Sequence, residues 1–337
     1  MIKLALIGCG SIAQSHAARF TKNAARLKVV ATVDLDEACA RHAAQAVGAA
    51  QAVTDFREVL GEVDAVLIAV PHNLHHAVGL ECLEAGKHVL MEKPLANSER
   101  ECLDLIEASE KHGAILMTAY CMRYHPLVIG LKEAIEVKTY GDTFHVSIWT
   151  EQYTKRGDAS AWHHRIATLG GGQLFSHGCH YIDILLWYLG NPVAGTHTGT
   201  NCGTAWMERE GTSDVSLKFE SGAVGYHGGT WGARGTRLGY AFHAHGTEGL
   251  LEADFRRGQL FGIRGDKETV LLQTDGDDKN LENEMAHFLD CIEKNRKPLT
   301  DGPSSLQGLR VIWRLYEAEE KRAVADLRGL GLEQPWR

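Results

Sequence analysis

The stretch IKLALIGCGSIAQSHA, residues 2–17, joins a short apolar run to a segment with helical spacing through two glycines. The apolar run is typical of a buried strand, and a glycine turn between strand and helix is typical of a dinucleotide-binding loop. Gly8 allows the tight turn, and Gly10 lets the backbone approach a pyrophosphate. Ser11 and Ile12 open the helix, whose first N–H groups favour phosphate. The stretch therefore predicts a nucleotide site.

The rest of the first third of the chain repeats this alternation of strand and helix. Apolar runs at KVVATVD, VDAVLIAV, KHVLME and AILMTAY alternate with helical segments such as SERECLDLIEASEKHG, a capped helix that ends at Gly113. Short apolar strands between amphipathic helices predict a parallel sheet covered on both faces. The predicted fold class is α/β, with an N-terminal Rossmann domain, a doubly wound parallel sheet, over residues 1–122.

Asp34 ends the second of these strands. A carboxylate at this place can accept hydrogen bonds from both ribose hydroxyls of a dinucleotide and would repel a 2′-phosphate. The following residue is Leu35 and not an arginine. A helix-capping or surface role is the alternative interpretation of Asp34. We predict NAD as the cofactor, with NADP less favoured.

Two further segments fall at the carboxyl ends of strands, where doubly wound sheets bind their ligands. Pro71 and His75 follow VDAVLIAV, and Glu92 and Lys93 stand before Pro94 at the end of KHVLME. A lone lysine is usually a solvated surface charge, but a lysine at this edge of the sheet is a better candidate for function. We predict that these residues line the cofactor site.

The stretch GGGQLFSHGCHYID, residues 170–183, gathers polar side chains behind a glycine turn. If a helix runs from about Leu174 to Leu189, its spacing puts Ser176, His180 and Asp183 on one face, with His177 beside them. A buried structural histidine is the alternative interpretation of such a residue. Histidine titrates near neutrality, so it can exchange the hydroxyl proton of an alcohol reversibly.

Beyond about residue 123 the pattern changes to strands separated by turn residues, as in SDVSLKFESGAVGYHGGTW. This pattern predicts a strand-rich second domain over residues 123–337, whose final helices are expected to pack back on the first domain.

Four segments, in this order, resemble the glucose–fructose oxidoreductase/inositol dehydrogenase/MocA family of oxidoreductases: LIGCGSIAQSHA, AGKHVLMEKPLA, MRYHP and GGGQLFSHGCHYIDILLWYLG. The resemblance implies that the second domain is α/β, with an open, mainly antiparallel sheet that often forms the oligomer interface. Because an exposed apolar sheet face is unfavourable in water, we expect a homodimer or homotetramer.

The resemblance also implies a reaction and two catalytic residues. His180 is the expected acid/base, and Lys93 is expected to hold the reacting oxygen. The expected reaction moves a hydride between the nicotinamide and a secondary alcohol of a sugar, cyclitol or sugar derivative. Ser176 departs from the family pattern, because many members carry Asp there. That departure leaves open a lyase or glycosidase-like reaction with transient oxidation, whereas retention of Lys93 and His180 argues against a non-enzymatic cofactor sensor.

The remaining candidates are expected to contact the substrate: Arg123, Trp162, His163, His164, Arg165, Ser176 and His177. Trp162 can stack on a sugar ring, while its polar neighbours bind hydroxyls or an acidic group; a solvated loop anchored by Trp162 is the alternative. Arg123 has a structural and an active-site interpretation. A zinc site built from the four histidines at 163, 164, 177 and 180 is disfavoured, because adjacent loop histidines seldom face one ion. We expect no metal.

Composition argues against several other classes of protein. The chain has 337 residues, 35 basic and 43 acidic, and a net charge of −8 without a long basic run, so we expect no nucleic-acid partner. The apolar stretch in MIKLALIGCG is too short for a signal peptide, and no run could span a bilayer, so we expect no membrane partner. The eight cysteines are scattered, which is typical of a cytoplasmic protein.

Overall fold

The computed structural model describes residues 1–155, 161–275 and 279–335. The chain divides into two units, each formed from two stretches of sequence. The first unit is Met1–Cys121 with Asn280–Leu306, and the second is Met122–Lys279 with Gln307–Arg337.

The helices of the described residues are α1 Ser11–Ala17, α2 Glu37–Val47, α3 His75–Glu84, α4 Glu99–His112, α5 Pro126–Glu136, α6 Ile166–Leu169, α7 Cys179–Leu189, α8 Leu281–Lys294 and α9 Gly302–Glu320. Short 3₁₀ turns lie at Phe20–Asn23, Phe56–Glu62, His72–Leu74, Cys121–Tyr124 and Trp162–His164. None of the helices in the described part of the chain is long and apolar enough to cross a bilayer.

The first unit is built on a six-stranded parallel sheet. Its strands are β1 Ile2–Ile7, β2 Leu27–Val33, β3 Gln51–Val53, β4 Ala65–Ile68, β5 His88–Met91 and β6 Leu116–Thr118. They pair in the order β3-β2-β1-β4-β5-β6. The chain order reverses between β1 and β4, which is the switch point where such sheets bind ligands. The predicted Rossmann sheet is confirmed.

Helix α4 shows how local sequence sets an element of this unit. The Ser98 hydroxyl accepts a hydrogen bond from the Glu101 N–H at 3.3 Å, and the Glu101 carboxylate accepts one from the Ser98 N–H. This reciprocal cap satisfies two N–H groups at the start of the helix. Gly113 ends the helix at φ +61°, a conformation that favours glycine. The cap and the stop that the sequence predicts are therefore present.

Helix α8 completes the first unit although it comes late in the chain. Arg26 pairs with Asp290 at 2.6 Å and with Glu293 at 2.7 Å. The Asn23 amide donates to the Glu282 carbonyl at 3.1 Å. These contacts fasten α8 to the segment that follows α1.

The second unit contains a nine-stranded sheet. Its strands are β7 Thr143–Glu151, β8 Pro192–Thr200, β9 Thr212–Phe219, β10 Val224–Thr230, β11 Tyr240–Gly246, β12 Gly249–Asp254, β13 Gln259–Arg264, β14 Lys267–Gln273 and β15 Ala325–Asp326. The order is β14-β13-β12-β11-β7-β10-β9-β8-β15, antiparallel except for the parallel pair β7–β10. The predicted mainly antiparallel sheet is confirmed. Helix α7 packs on β10, where Gly225 leaves room for Leu185.

The helix predicted from Leu174 begins differently in the structure. Leu174–Gly178 forms a π-helical turn, and the regular helix α7 starts at Cys179. A Cβ on Gly178 would lie 3.3 Å from Nε2 of the buried His227 on β10, so the glycine lets this turn approach the sheet closely. Because a π turn is wider than an α turn, the positions of Ser176 and His180 are not those of a continuous α-helix.

Candidate active site

The glycine loop after β1 has the geometry that its sequence predicts. Gly8 adopts φ +87°, and a Cβ there would lie 2.4 Å from the Ala69 carbonyl oxygen behind β4. Only glycine fits this position. A Cβ on Gly10 would meet no described atom within 4 Å, so the surface over Gly10 is open. A loop with backbone exposed at the start of α1 fits the pyrophosphate of a dinucleotide.

Asp34 lies beside this loop at the carboxyl end of β2. Its Oδ2 accepts a hydrogen bond from the Cys9 N–H at 2.8 Å, and its Oδ1 accepts one from the Asp36 N–H at 2.9 Å. The helix cap of α2 is Asp36, whose carboxylate accepts from the Ala38 N–H at 2.8 Å. Asp34 is therefore not the cap of that helix. Each of its oxygens has a second lone pair with which to accept a ribose hydroxyl.

The segment that carries Lys93 is held by its neighbour Glu92. The Glu92 carboxylate is buried, lies 2.9 Å from Nε2 of His16 in α1, and accepts the Lys93 N–H at 3.2 Å. Lys93 itself is half-buried, and its peptide bond to Pro94 is cis. Sequence analysis did not select His16, because no local spacing marks a partner 76 positions away.

His75 is a bridge between two loops of the first unit. It is fully buried, with Nδ1 2.8 Å from the Pro94 carbonyl oxygen and Nε2 3.1 Å from the Val70 carbonyl oxygen. Burial lowers the pKa of His75, so the ring is neutral and donates to one of the two carbonyls. Pro71 begins the turn that leads into this residue. His75 thus sets the backbone around the predicted cofactor loops.

In the second unit, the glycine turn before His180 encloses a buried carboxylate. A Cβ on Gly172 would lie 2.1 Å from the carboxyl group of Glu210. Glu210 accepts hydrogen bonds from the Tyr316 hydroxyl at 2.7 Å and the Leu174 N–H at 3.2 Å, and burial raises its pKa. The Tyr316 oxygen in turn accepts the N–H groups of Gly172 and Phe175. Sequence analysis selected neither Glu210 nor Tyr316, which together hold the start of the helical segment.

The two histidines of this segment lie in different surroundings. His180 in α7 is 6% exposed, whereas His177 in the π turn is half-buried. The His177 ring contacts the Gln173 amide nitrogen at 3.3 Å and the hydroxyls of Tyr240 and Tyr181 at 3.2 and 3.4 Å. The centroids of the two histidine rings are 6.1 Å apart.

Asp183 faces Arg123 inside the second unit. The Arg123 Nε lies 3.5 Å from the Asp183 Oδ2, and both side chains are buried. The guanidinium also stacks at 4.0 Å over the Trp187 ring. This ion pair gives Arg123 and Asp183 a structural contact inside the fold. Ser176 is also buried and lies in the π turn that precedes α7.

The loop that carries Trp162 is anchored to the second unit. Trp162 packs on a buried cluster, and its ring lies 3.7 Å from the His163 ring. The His164 carbonyl accepts the Glu208 N–H at 3.0 Å, and Arg165 is exposed. The cluster under Trp162 consists of Leu169, Met207 and Trp231. The anchor is thus present; Arg165 is exposed, whereas His163 and His164 are half-buried beside Trp162.

Across residues 1–155, 161–275 and 279–335, no three His, Cys, Asp or Glu side chains are grouped so that they could hold a metal ion. The four histidines considered above as zinc ligands therefore do not form such a group.

Two family models match the chain. Residues 2–120 match a model described as an oxidoreductase family with an NAD-binding Rossmann fold. Residues 128–252 match the GFO/IDH/MocA C-terminal domain. Together they cover more than half of the chain, and the first contains Lys93 while the second contains His180.

Relatives with curated names are dehydrogenases and reductases. The chain is 28% identical over 228 residues to inositol 2-dehydrogenase 2 of Saccharopolyspora erythraea, a match that covers 66% of this chain and 65% of that protein. It is 27% identical over 311 residues to D-xylose 1-dehydrogenase (NADP(+)) 2 of Haloferax volcanii, which covers 89% of this chain and 92% of that protein. The chain thus spans about two thirds of the length of the first relative and nearly all of the second.

Solved structures share the fold over almost the whole chain. A levoglucosan dehydrogenase in complex with NADH has a TM-score of 0.87 at 21% identity, covering 97% of this chain and 99% of that chain. The WlbA dehydrogenase from Bordetella pertussis, in complex with NADH and UDP-GlcNAcA, has a TM-score of 0.82 at 23% identity, covering 97% and 98%. At these identities the likeness shows the fold alone.

Proposed function

The chain belongs to the Gfo/Idh/MocA family of oxidoreductases, and from that premise we propose that it transfers a hydride between a nicotinamide cofactor and a secondary alcohol of a sugar, cyclitol or sugar derivative. The observation that carries the proposal is the presence of Lys93 two positions after the end of β5 and of His180 in α7, each within a matched domain. Relatives named for inositol, xylose and levoglucosan support this class of substrate.

NAD is the proposed cofactor, and when bound it supplies the hydride acceptor for alcohol oxidation. The backbone from Gly8 to Ile12, with Gly10 and Ser11, would hold its pyrophosphate, and Asp34 would accept the ribose hydroxyls. The carboxylate of Asp34 would repel the additional phosphate of NADP. One relative is named as an NADP enzyme, so membership of the family does not decide between NAD and NADP. The proposed preference of this chain for NAD rests on Asp34. The same cofactor would also be lined by the loops that contain Pro71, His75 and Glu92.

Lys93 and His180 are the proposed catalytic residues. During oxidation the His180 imidazole would take the hydroxyl proton of the substrate, and the Lys93 ammonium would donate a hydrogen bond to the reacting oxygen. In reduction the same proton would return from His180. Ser176 carries a hydroxyl where a carboxylate is common in the family, so it can orient the ring but adds no negative charge.

The remaining polar residues of the second unit are proposed to select the substrate. His177 and Ser176 would contact substrate hydroxyls, and the loop of Trp162 would supply a stacking surface. His163, His164, Arg165 and Arg123 complete the proposed set.

We also propose a homodimer or homotetramer that acts in the cytoplasm. Phe144 of β7 and Val270 of β14 are 53% and 48% exposed on the nine-stranded sheet. Apolar side chains of a broad sheet are commonly covered by a second copy. A single monomeric species at micromolar concentration in light scattering would contradict this assembly.

A screen of sugars, cyclitols and their derivatives tests the activity. The purified protein is incubated with each compound and NAD or NADP, and the absorbance of the reduced cofactor is followed, with His180→Ala as the control. Net NADH formation that the control lacks is the expected result. Cleavage of a glycoside without net NADH would select the lyase alternative. Absence of both NAD binding and turnover would contradict the proposal.

A further inference from the structure

A buried chain of hydrogen bonds leads to His177 from the interior of the second unit. Ser213 on β9 is fully buried, and its hydroxyl donates to Oε1 of Gln173 at 2.8 Å. The Gln173 side chain is also fully buried, and its Nε2 lies 3.3 Å from Nδ1 of His177. The π turn therefore carries its own partner for the histidine, four positions earlier in the sequence.

The packing around Gln173 leaves little freedom to its amide. A Cβ on Gly229 of β10 would lie 2.4 Å from Nε2 of Gln173, so the absence of a side chain there makes room for the amide. With the Ser213 hydroxyl donating to Oε1, the amide nitrogen is directed at His177. An amide nitrogen can only donate. Nδ1 of His177 must therefore be the acceptor in this contact.

The direction of that bond fixes the tautomer of His177. If Nδ1 accepts, the proton of the neutral ring is on Nε2. Nε2 lies 3.2 Å from the Tyr240 oxygen, and the Gln152 amide nitrogen also donates to this oxygen. With two N–H groups directed at its oxygen, the Tyr240 hydroxyl can use its hydrogen toward a third atom.

We propose that Gln173 is a positioning residue that holds His177 as an Nε2–H donor to Tyr240, so that the Tyr240 hydroxyl donates its hydrogen to a hydroxyl of the substrate and His177 does not exchange the substrate proton. The half-buried state of both residues leaves them accessible to a small polyol. The part that concerns substrate rests on the proposed dehydrogenase function, whereas the tautomer of His177 does not.

Nuclear magnetic resonance of the histidine nitrogens tests the tautomer without turnover. Long-range proton–nitrogen correlations are recorded on ¹⁵N-histidine-labelled protein, with the His177 signals identified by their loss in His177→Phe. The wild type should show Nε2 protonated and Nδ1 unprotonated. In Gln173→Glu the carboxylate accepts instead of donating, so Nδ1 should gain a proton.

Gln259→Glu on β13, whose amide bonds Gln273, is the matched control and should leave the His177 signals unchanged. A wild-type protein with Nδ1 protonated would overturn the proposal, even if the Gln173 variant failed to fold. Unchanged His177 signals in a folded Gln173→Glu protein would overturn it as well.

Steady-state kinetics tests the role in binding, using whichever polyol the screen identifies. Gln173→Glu should raise KM about tenfold, the effect of losing about one hydrogen bond, and leave kcat within about threefold. The pH profile of kcat should not move, because His180 carries the proton. A fall in kcat at constant KM would overturn this role. If no polyol is turned over, the dehydrogenase proposal fails while the tautomer result still stands.

Discussion

Nε2 of His16 lies 2.9 Å from Oε1 of Glu92, although 76 positions separate the two residues. His16 belongs to the helix that the glycine loop opens, and Glu92 directly precedes Lys93. The pair thus joins two predicted cofactor-binding segments through buried side chains. Neither residue needs to touch a ligand for this contact to matter, because the position of the Lys93 backbone depends on it.

His16→Ala should therefore weaken both the first unit and its cofactor site. Glu92 would lose a buried hydrogen-bond partner, at a cost of about 2–3 kcal/mol in the free energy of unfolding. Urea denaturation gives this value, and fluorescence titration gives the accompanying loss of NAD affinity. Glu81→Gln, which breaks the exposed pair of Glu81 with Arg57, is the control and should cost less than about 1 kcal/mol. Equal effects of the two variants would contradict the interpretation.

Asp34→Asn should narrow the preference for NAD over NADP. The amide keeps an acceptor for the Cys9 N–H but removes the charge that repels a 2′-phosphate. Isothermal titration with both cofactors gives the ratio of dissociation constants. Asp36→Ala, which removes the cap of α2, should lower stability by about 1 kcal/mol and leave this ratio unchanged. A wild-type protein that binds NADP as tightly as NAD would refute the role of Asp34.

His180→Ala should lower kcat by about 10²–10⁴-fold while NAD still binds, because a general acid/base typically contributes that much. Lys93→Ala should also lose turnover, with weaker cofactor binding. His177→Ala should mainly raise KM. Initial rates over a range of substrate concentrations separate these effects. If His180→Ala kept normal turnover and His177→Ala abolished it, the proton carrier would be His177.

Gly172→Ala should destabilise the second unit, because the added methyl would overlap the Glu210 carboxyl group. Overpacking of this kind costs about 1–3 kcal/mol, which urea denaturation can measure. Gly308→Ala in α9 is the contrasting variant, since a Cβ there would meet no described atom within 4 Å. It should stabilise the protein by up to about 1 kcal/mol through helix propensity. If Gly172→Ala were more stable than Gly308→Ala, the close packing of Gly172 against the Glu210 carboxyl group would be contradicted.

His227→Gln should reduce the loss of stability in acid. Burial lowers the pKa of His227 from 6.5 to about 4, so the unfolded chain takes up a proton at higher pH than the folded chain. The stability gained from the neutral ring is complete above pH 6.5 and is lost as the pH falls toward 4. The loss is on the order of 3 kcal/mol.

Chemical denaturation of wild type and His227→Gln between pH 4 and 7 measures this difference. Other buried histidines, such as His75, contribute to both proteins and cancel in the comparison. His42→Gln on the exposed side of α2 is the control. Parallel stability curves for the wild type and His227→Gln would show that His227 is not responsible.

The elements that were predicted correctly are those that a short stretch of sequence specifies. The glycine loop, the cap of α4 and the alternation of strands with helices all lie within short windows of sequence. The short strand β3 was not selected, because QAV is half-buried throughout and shows no apolar alternation. The π turn Leu174–Gly178 was predicted as ordinary α-helix, because no local pattern in the sequence indicates its close approach to His227 on β10.

Contacts between residues that are far apart in the sequence account for what the sequence did not predict. Glu210 and Tyr316 hold the glycine turn from positions that are distant in sequence, and neither has a neighbouring motif. The same holds for His16 with Glu92. The assignment of catalytic roles to Lys93 and His180 comes from the sequence and stays a prediction, whereas the side chains that hold their segments became visible only in the folded chain.

The late position of α8 has a consequence for biosynthesis. Arg26 leaves the ribosome more than 260 residues before Asp290 and Glu293, so the nascent first unit lacks α8 while strands β7 to β14 of the second sheet emerge. Because chains fold as they are made, from the N-terminus onward, the nucleotide-binding unit begins to form first but is complete only after most of the second unit has been synthesised. Limited proteolysis of ribosome-stalled chains should find the segment from Phe20 to Arg26 cleavable until α8 has left the exit tunnel.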